Sequence, residues 1–366
     1  MPPASVGLFP MITLGIETSC DETACAVLSG RDTIKSNVVS SSLFRHKPFG
    51  GIVPEIASRH CLEQIDFVFK EALGKARVRP PDIDLIAVTQ GPGLIGSLLV
   101  GVAFAKALSF ELDIPLLGVN HLEAHLAANF IARKEPFHYV GLLVSGGHTS
   151  LSYHKNGRIT MLGSTVDDAA GEAFDKVAKI LGLGYPGGPV IEEIARHGNP
   201  EAFRFTKPKQ TNPFDFSFSG IKTAILYEVQ KYWGAKYTGK PGRSMGLKDG
   251  KFQSRILRRL PLGFQRDMAA SFQNAVVHWL VVKTLEAASF KKVKDVVVGG
   301  GVCANSSLRE VLNREGKACG VTVCFPQLSL TSDNAAMVAR RGIELYQKGR
   351  RSEQILTVDP NLPMGR

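Results

Sequence analysis

The chain contains no run of about 18 apolar residues, so no membrane-spanning helix is expected. Its six cysteines, Cys20, Cys25, Cys61, Cys303, Cys319 and Cys324, are scattered and form no C-x-x-C pair. That spacing excludes a zinc knuckle, a thioredoxin-type site and a disulfide-stapled scaffold, and free thiols in a reducing compartment are expected. The glycines follow no period, which excludes a collagen-like chain. Met1 to Pro10 is apolar but lacks a basic start, a long apolar stretch and an Arg-rich pattern. Neither a signal nor a transit peptide is expected, and a cytoplasmic location is.

Acidic residues are the scarcer charge: 33 Asp and Glu stand against 44 Lys and Arg, a net +11. The excess is local. From Lys236 to Arg259 there are eight basic residues and one acidic, so this tract carries +7 of the total. It is either a solvated loop or a surface for an anionic partner, with nucleic acid first in line. Gly239, Pro241, Gly242, Gly246 and Gly250 argue against a stable helix through its first half, so a mobile loop that orders on binding is expected.

With 366 residues, 44% of them hydrophobic, the chain has length for two domains or one large bilobal one. Ile12–Thr18, Thr23–Leu28 and Thr33–Val39 read as three strands separated by polar turns. Tyr139–Ser145, His148–Tyr153 and Arg158–Thr165 repeat that grammar, with Asn156-Gly157 as a strong hairpin turn. A strand meander occurring twice, each time followed by helix, indicates a duplicated architecture. Between and after the meanders lie α/β units. They include a helix from Glu55 to Leu73 with Ile56, Leu62, Ile65, Phe69 and Leu73 near one face, strands at Leu85–Thr89, Pro115–Val119 and Val293–Val298, and a helix at Ala170–Leu181. The alternation argues for a mostly parallel sheet in each lobe with meander edges.

Six motifs carry candidate chemistry. Glu17-Thr-Ser-Cys-Asp-Glu-Thr23 and Val144-Ser-Gly-Gly-His-Thr149 are polar hairpin tips in duplicated positions. Singly they read as ordinary turns; as a pair facing one cleft they suit phosphate binding by backbone N–H groups. Gly299-Gly-Gly-Val-Cys-Ala-Asn305 joins a strand to a helix. It is neither a Walker A loop nor G-x-G-x-x-G, and it suits an anion site or a tight packing turn equally. His121-Leu-Glu-Ala-His125 puts two imidazoles on one helical face, as a metal needs, whereas Glu123 points away and the H-E-x-x-H order of zinc proteases is missing. Asp333, where an apolar helix begins, reads by itself as an N-cap. Asp175 and Gly188 could meet ribose or substrate hydroxyls, while Asp167 and Asp168 could equally cap the helix that follows them.

These motifs, with Phe49-Gly-Gly-Ile-Val-Pro-Glu-Ile-Ala-Ser-Arg59, Gly91-Pro-Gly-Leu-Ile-Gly-Ser-Leu98, Asp167-Asp-Ala-Ala-Gly-Glu-Ala-Phe-Asp-Lys176, Asp215-Phe-Ser-Phe-Ser-Gly-Ile-Lys222 and Ser332-Asp-Asn-Ala-Ala-Met337, resemble the TsaD family, the tRNA adenosine threonylcarbamoyltransferases, in its bacterial and organellar branch. The match runs over roughly residues 11–234 and 262–348, in order and at family spacing. The resemblance implies the bilobal actin-like, Hsp70-like (ASKHA) α/β fold, which agrees with the duplicated meanders. Its lobes would be 11–132, joined by a returning helix at 333–348, and 138–330, with 233–261 as a basic insertion. It implies transfer of a threonylcarbamoyl group from threonylcarbamoyl-adenylate to the N6 amine of adenosine 37 in tRNAs reading codons that begin with A, with release of AMP. It implies one divalent metal, iron or zinc, on His121, His125 and Asp333, the last in place of the cap reading. Substrate would be bound at Leu143, Val144, Ser145, Gly146, Gly147, Asp175, Gly188 and Asn305. The implied partners are tRNA, a TsaB-like paralogue and a TsaE-like ATPase, or a homodimer in an organellar form, without a membrane. The competing expectations are a small-molecule kinase of the same fold, which needs ATP turnover and no His pair, and a non-catalytic paralogue, which would not keep all three metal ligands.

Overall fold

The computed structural model describes residues 10–131, 133–232, 260–351 and 355–365; the basic tract Lys236–Arg259 and all but Pro10 of the stretch Met1 to Pro10 lie outside them. Two five-stranded sheets organise the chain. In the first, β1 (Ile12–Glu17), β2 (Glu22–Ser29) and β3 (Thr33–Ser41) form an antiparallel meander, and β4 (Leu85–Gly91) and β5 (Leu116–Asn120) extend it in parallel in the order β3-β2-β1-β4-β5. In the second, β6 (His138–Val144), β7 (Thr149–Lys155) and β8 (Arg158–Ser164) form the meander, and β9 (Asp295–Gly299) and β10 (Thr322–Cys324) extend it in the order β8-β7-β6-β9-β10. The two orders are the same, so the duplication read in the meanders extends to the whole sheet. The β7–β8 turn has φ of 53° at Asn156 and 74° at Gly157, the double left-handed conformation of a type I′ hairpin.

Ten helices cover the sheets among the described residues: α1 (Leu43–His46), α2 (Pro54–Ala76), α3 (Ile95–Leu112), α4 (His121–Ala127), α5 (Ala170–Leu181), α6 (Gly187–Ala195), α7 (Ser219–Tyr232), α8 (Leu262–Lys291), α9 (Ser306–Ala318) and α10 (Ala335–Gln347). The apolar stripe expected on α2 is corrected. Ala57, Cys61, Ile65, Phe69, Ala72 and Leu73 are buried, whereas Leu62 is exposed, because the helix carries apolar residues on both faces. α3 is long and apolar enough by composition to cross a membrane, although Lys106 and Glu111 interrupt it; it packs on α2 and β4 and leaves most of its surface outside.

α10 comes from the far end of the chain and seats on the first sheet, because glycine on each side removes the obstacle. A Cβ on Gly15 of β1 would stand 2.1 Å from the Ala335 carbonyl, and one on Gly342 of α10 would stand 2.3 Å from the Ala87 Cβ. Ala335, Ala336, Met337, Val338, Ala339 and Ile343 close that core against Ala24, Ala26, Ala87 and Val119. The seat brings Asp333, two residues before α10, to the start of α4. Residues 355–365 then cross the first sheet's edge and reach the same helix. Gln90 Nε2 donates to the Thr357 carbonyl, Asn120 Nδ2 to the Pro363 carbonyl, and the Gly365 N–H donates to Glu123. Met364 fills a small core with Leu122, Leu126, Phe130 and Tyr139.

Candidate functional site

β5 runs directly into α4, and Asn120 makes the junction sharp: its side-chain oxygen accepts from the N–H groups of Leu122 at 2.9 Å and Glu123 at 3.3 Å. His121 and His125 therefore leave α4 one turn apart, with ring centroids 4.6 Å apart. Asp333 Oδ1 stands 3.1 Å from His125 Nε2 and 3.6 Å from His121 Nε2. One ligand atom from each of the three lies within 4.8 Å of the others. The cap reading of Asp333 is corrected by its neighbour: Asn334 accepts from the Met337 N–H and caps α10, which leaves the Asp333 carboxylate for the histidines.

Glu17, at the end of β1, fixes His121. Its carboxylate accepts from His121 Nδ1 at 3.0 Å, from the Thr89 hydroxyl at 2.5 Å and from the Ser19 N–H at 2.6 Å. With Nδ1 committed to Glu17, Nε2 is the nitrogen that faces Asp333 and would be the one offered to an ion. Burial alone would push the Glu17 and Asp333 carboxyls up. Facing His121 outweighs it for Glu17, and facing His121 and His125 outweighs it for Asp333, so both fall below the ordinary range. Burial would lower His121, but the Glu17 and Asp333 carboxylates raise it to about 9. His125 is buried, and neither of its ring nitrogens has a hydrogen-bond partner in line among the described residues. An orphaned buried imidazole facing a second imidazole and a carboxylate is the donor set of a divalent transition metal, with positions left for other ligands.

Glu123 faces the other way. It is buried, pairs with Arg341 at 2.6 Å and accepts the Gly365 N–H, so it serves the back of α4 and cannot act as a base at the histidines.

The β6–β7 hairpin faces the same cleft. Leu143 and Val144 are fully buried at the base of the hairpin. Ser145, Gly146 and Gly147 form the tip, and a Cβ on either glycine would meet nothing within 4 Å. The protein's own packing does not require these glycines, whereas a ligand against the backbone would. His148 completes the tip; burial first, then the nearby charges of His121 and His125, lowers it to about 4. The Gly-rich turn divides its roles. A Cβ on Gly299 would stand 2.7 Å from the His125 carbonyl, and Gly300, at φ 93°, abuts the Val144 carbonyl, whereas Gly301 faces open space.

The remaining predicted residues ring the cleft with part of their capacity used internally. Asp175 accepts the Gly187 N–H at 2.6 Å, which holds the loop before α6, and burial raises its carboxyl. Gly188 faces open space. Asn305 caps α9 through the Leu308 N–H and donates to Gln273. Asp167 and Asp168 do not cap α5: Asp167 accepts from the N–H groups of Phe218 and Ser219 at the start of α7, and Asp168 pairs with Lys176 and Lys222. The motif reading missed Glu17 as a histidine partner, and Thr89 and Ser19 with it. It also missed Tyr185, whose hydroxyl is raised by burial and by Asp175, Asp21, Cys20 and Glu22, so the loop before α6 and the first hairpin share one acidic cleft.

The profile of the TsaD family, described as tRNA N6-adenosine threonylcarbamoyltransferase, matches residues 33–340. The chain is 49% identical over 340 residues to the tRNA N6-adenosine threonylcarbamoyltransferase of Thermosipho melanesiensis, covering 92% of this chain and 95% of that one. It is 47% identical to the enzyme of the same name in Symbiobacterium thermophilum, covering 98% of each. Among solved structures, HypF of T. kodakarensis superposes with a TM-score of 0.59 at 16% identity over 93% of this chain. A full-length HypF superposes with 0.55 at 13% identity over a similar span. The chain spans about half the length of those HypF chains, and at such identities the likeness is one of fold, the actin-like α/β architecture. Near-complete coverage by relatives of one name, over both sheets and the His-His-Asp cluster, places the chain in the family of tRNA N6-adenosine threonylcarbamoyltransferases.

Proposed function

We propose that this chain, as a member of a family of tRNA-modifying transferases, moves a threonylcarbamoyl group from threonylcarbamoyl-adenylate to the N6 amine of adenosine 37 at the cleft between its two polar hairpins. The observation that carries the site assignment is His125, buried with Nε2 3.1 Å from the Asp333 carboxylate and no well-aligned hydrogen bond on either ring nitrogen, beside a His121 whose other nitrogen Glu17 holds. His121, His125 and Asp333 would hold one divalent ion, iron or zinc, and such an ion supplies Lewis-acid stabilisation to donor oxygens.

The chain's own residues do the rest. The Ser145 N–H is taken by the His148 carbonyl within the hairpin; the N–H groups of Gly146 and Gly147 bind the adenylate phosphate, and the empty space over Gly146, Gly147 and Gly188 admits the donor against the backbone. Asp175, with one oxygen on Gly187, offers the other to hydroxyls, and Asn305 keeps the Gly-rich turn in place as the α9 cap. The amine attacks the carbamoyl carbon, the bond to the AMP phosphate oxygen breaks, and the amine proton leaves to solvent or to that phosphate. The enzyme's work is mainly orientation and charge stabilisation. No covalent nucleophile is required. A kinase of this fold would not need the two histidines, and the family assignment does not favour it.

The lobes proposed are 11–132 with the returning 333–348, and 138–330. For partners, the exposed apolar face of α2 and α3, with Leu62, Phe67, Leu99 and Phe110, fits a helical pair from a TsaB-like paralogue or a second copy of this chain, and a TsaE-like ATPase would join the paralogue complex. A cytoplasmic location fits a tRNA substrate and free thiols. The test is transfer of labelled threonine from the adenylate to tRNA transcripts carrying adenosine or guanosine at position 37. Label on the adenosine transcript only is expected; label on neither, with intact protein and its partners present, contradicts the reading.

A further inference from the structure

Outside the metal cleft, the second lobe carries a groove of about 450 Å³ between the loop after α6 and the outer flank of α8. Trp279 forms its floor, half-buried Phe203 and Phe205 its walls, and exposed Arg204, His278 and Asn274 its rim. Hydrogen bonds on both sides hold the groove in shape. Ser271 Oγ donates to the Asn199 carbonyl and accepts from the Phe203 N–H, and Asn274 donates to the Pro200 carbonyl. The volume lies in the range of small-ligand sites, yet no motif in the sequence points to it.

Its chemistry is that of a single-stranded RNA platform. Aromatic faces that take a base of any identity sit beside a cationic edge that takes the phosphate. Between Pro200 and Gln210 the loop carries Arg204, Lys207 and Lys209, all exposed, against one acid, Glu201. Phe203 also stacks edge-on against Phe264, and Phe264 meets Tyr232, with ring centroids 5.4 and 4.9 Å apart. Positive charge in the sequence is concentrated in the segment that begins just after Tyr232 and ends just before Leu260.

Position joins the groove to the reaction. Gln273 of α8 bonds Asn305, and Asn305 lies in the turn whose Gly299 packs on the His125 carbonyl. Asn274 and His278 project from the next face of the same two helical turns. The groove thus shares α8 with the contact that holds Asn305.

We propose that this groove binds the acceptor tRNA, taking an unpaired loop nucleotide on the aromatic faces of Phe203 and Phe205 and its phosphate on Arg204. The proposal rests on the tRNA-transferase reading above and adds where the RNA is held. The test uses the full chain with its partners and an unmodified transcript of a tRNA reading a codon that begins with A. Phe205→Ala should weaken tRNA binding about tenfold, in line with the loss of one base stack. It should raise the KM for tRNA and leave kcat and AMP affinity at wild-type values, and Phe205→Trp should restore binding. Arg204→Ser should flatten the slope of log affinity against log salt by about 0.7. If Phe205→Ala fails to fold, Arg204→Ser and His278→Ala, both at exposed positions, carry the test. Wild-type tRNA affinity and salt slope in the folded variants overturn the proposal, as does loss of a protein partner with tRNA binding intact. A wild-type protein that binds no tRNA and transfers nothing would instead sink the functional reading itself.

Discussion

Glu17 is the residue on which the geometry of the cleft depends most, and its role as the His121 partner is one that its motif does not disclose. It reaches His121 across 104 positions because β1 pairs with β4 and β4 with β5, and no local pattern records that. Glu17→Gln keeps the shape but removes the charge that selects the His121 tautomer. It should lower metal affinity by about 10- to 100-fold and, because the amide cannot accept all three hydrogen bonds, lower the melting temperature as well; affinity within twofold of wild type in a chelator competition would contradict this. The two glycine classes give a second contrast. Gly146→Val enters open space, so it should leave stability unchanged while weakening AMP binding in calorimetry. Gly300→Ala meets the Val144 carbonyl at a left-handed φ and should destabilise the fold by about 1–3 kcal/mol in denaturant titration. If Gly146→Val binds AMP normally, the hairpin tip is not the phosphate site.

At the scale of elements, what the sequence made legible was local. The Asn156-Gly157 turn, both meanders and the bounds of α5 follow from turn chemistry and from periods of 2 and 3.6 residues, which act over a few positions. The α2 stripe was misassigned because both its faces carry apolar residues, so periodicity alone could not choose between Leu62 and Cys61. Asp333 and Asn334 are both good caps, and only the backbone decides that Asn334 takes the task. Asn305 shows the reverse case: a residue expected to meet substrate also caps α9. Asn305→Ala should cost about 1 kcal/mol of stability, and Asn305→Asp should retain most of it; chemical denaturation separates the two. The seat of α10 is the most exacting element contact. Gly15→Ala drives a methyl into the Ala335 carbonyl and should move Asp333 away from the histidines, so bound metal should fall together with stability. Full metal content in a stably folded Gly15→Ala would break that link.

Over the whole molecule, the duplicated sheets supply two similar hairpins, and the chain's last third ties them to one centre. α10 delivers Asp333 to α4, and residues 355–365 brace α4 from behind through Asn120, Glu123 and Met364. Ending the chain after Arg351 should therefore weaken metal binding more than it weakens the second lobe, as amide exchange localised to α4 and β5 would report. Equal loss of protection in both lobes would make the strap a general staple instead. The central claim, that His121, His125 and Asp333 hold the metal on which transfer depends, is tested most directly by one paired measurement on His125→Ala. This variant empties the buried position that faces the Asp333 carboxylate at 3.1 Å. Elemental analysis should show the metal lost from a folded protein, and transfer of labelled threonine from the adenylate to tRNA should fall to background. Metal at wild-type stoichiometry, or transfer at wild-type rate without it, would contradict the account.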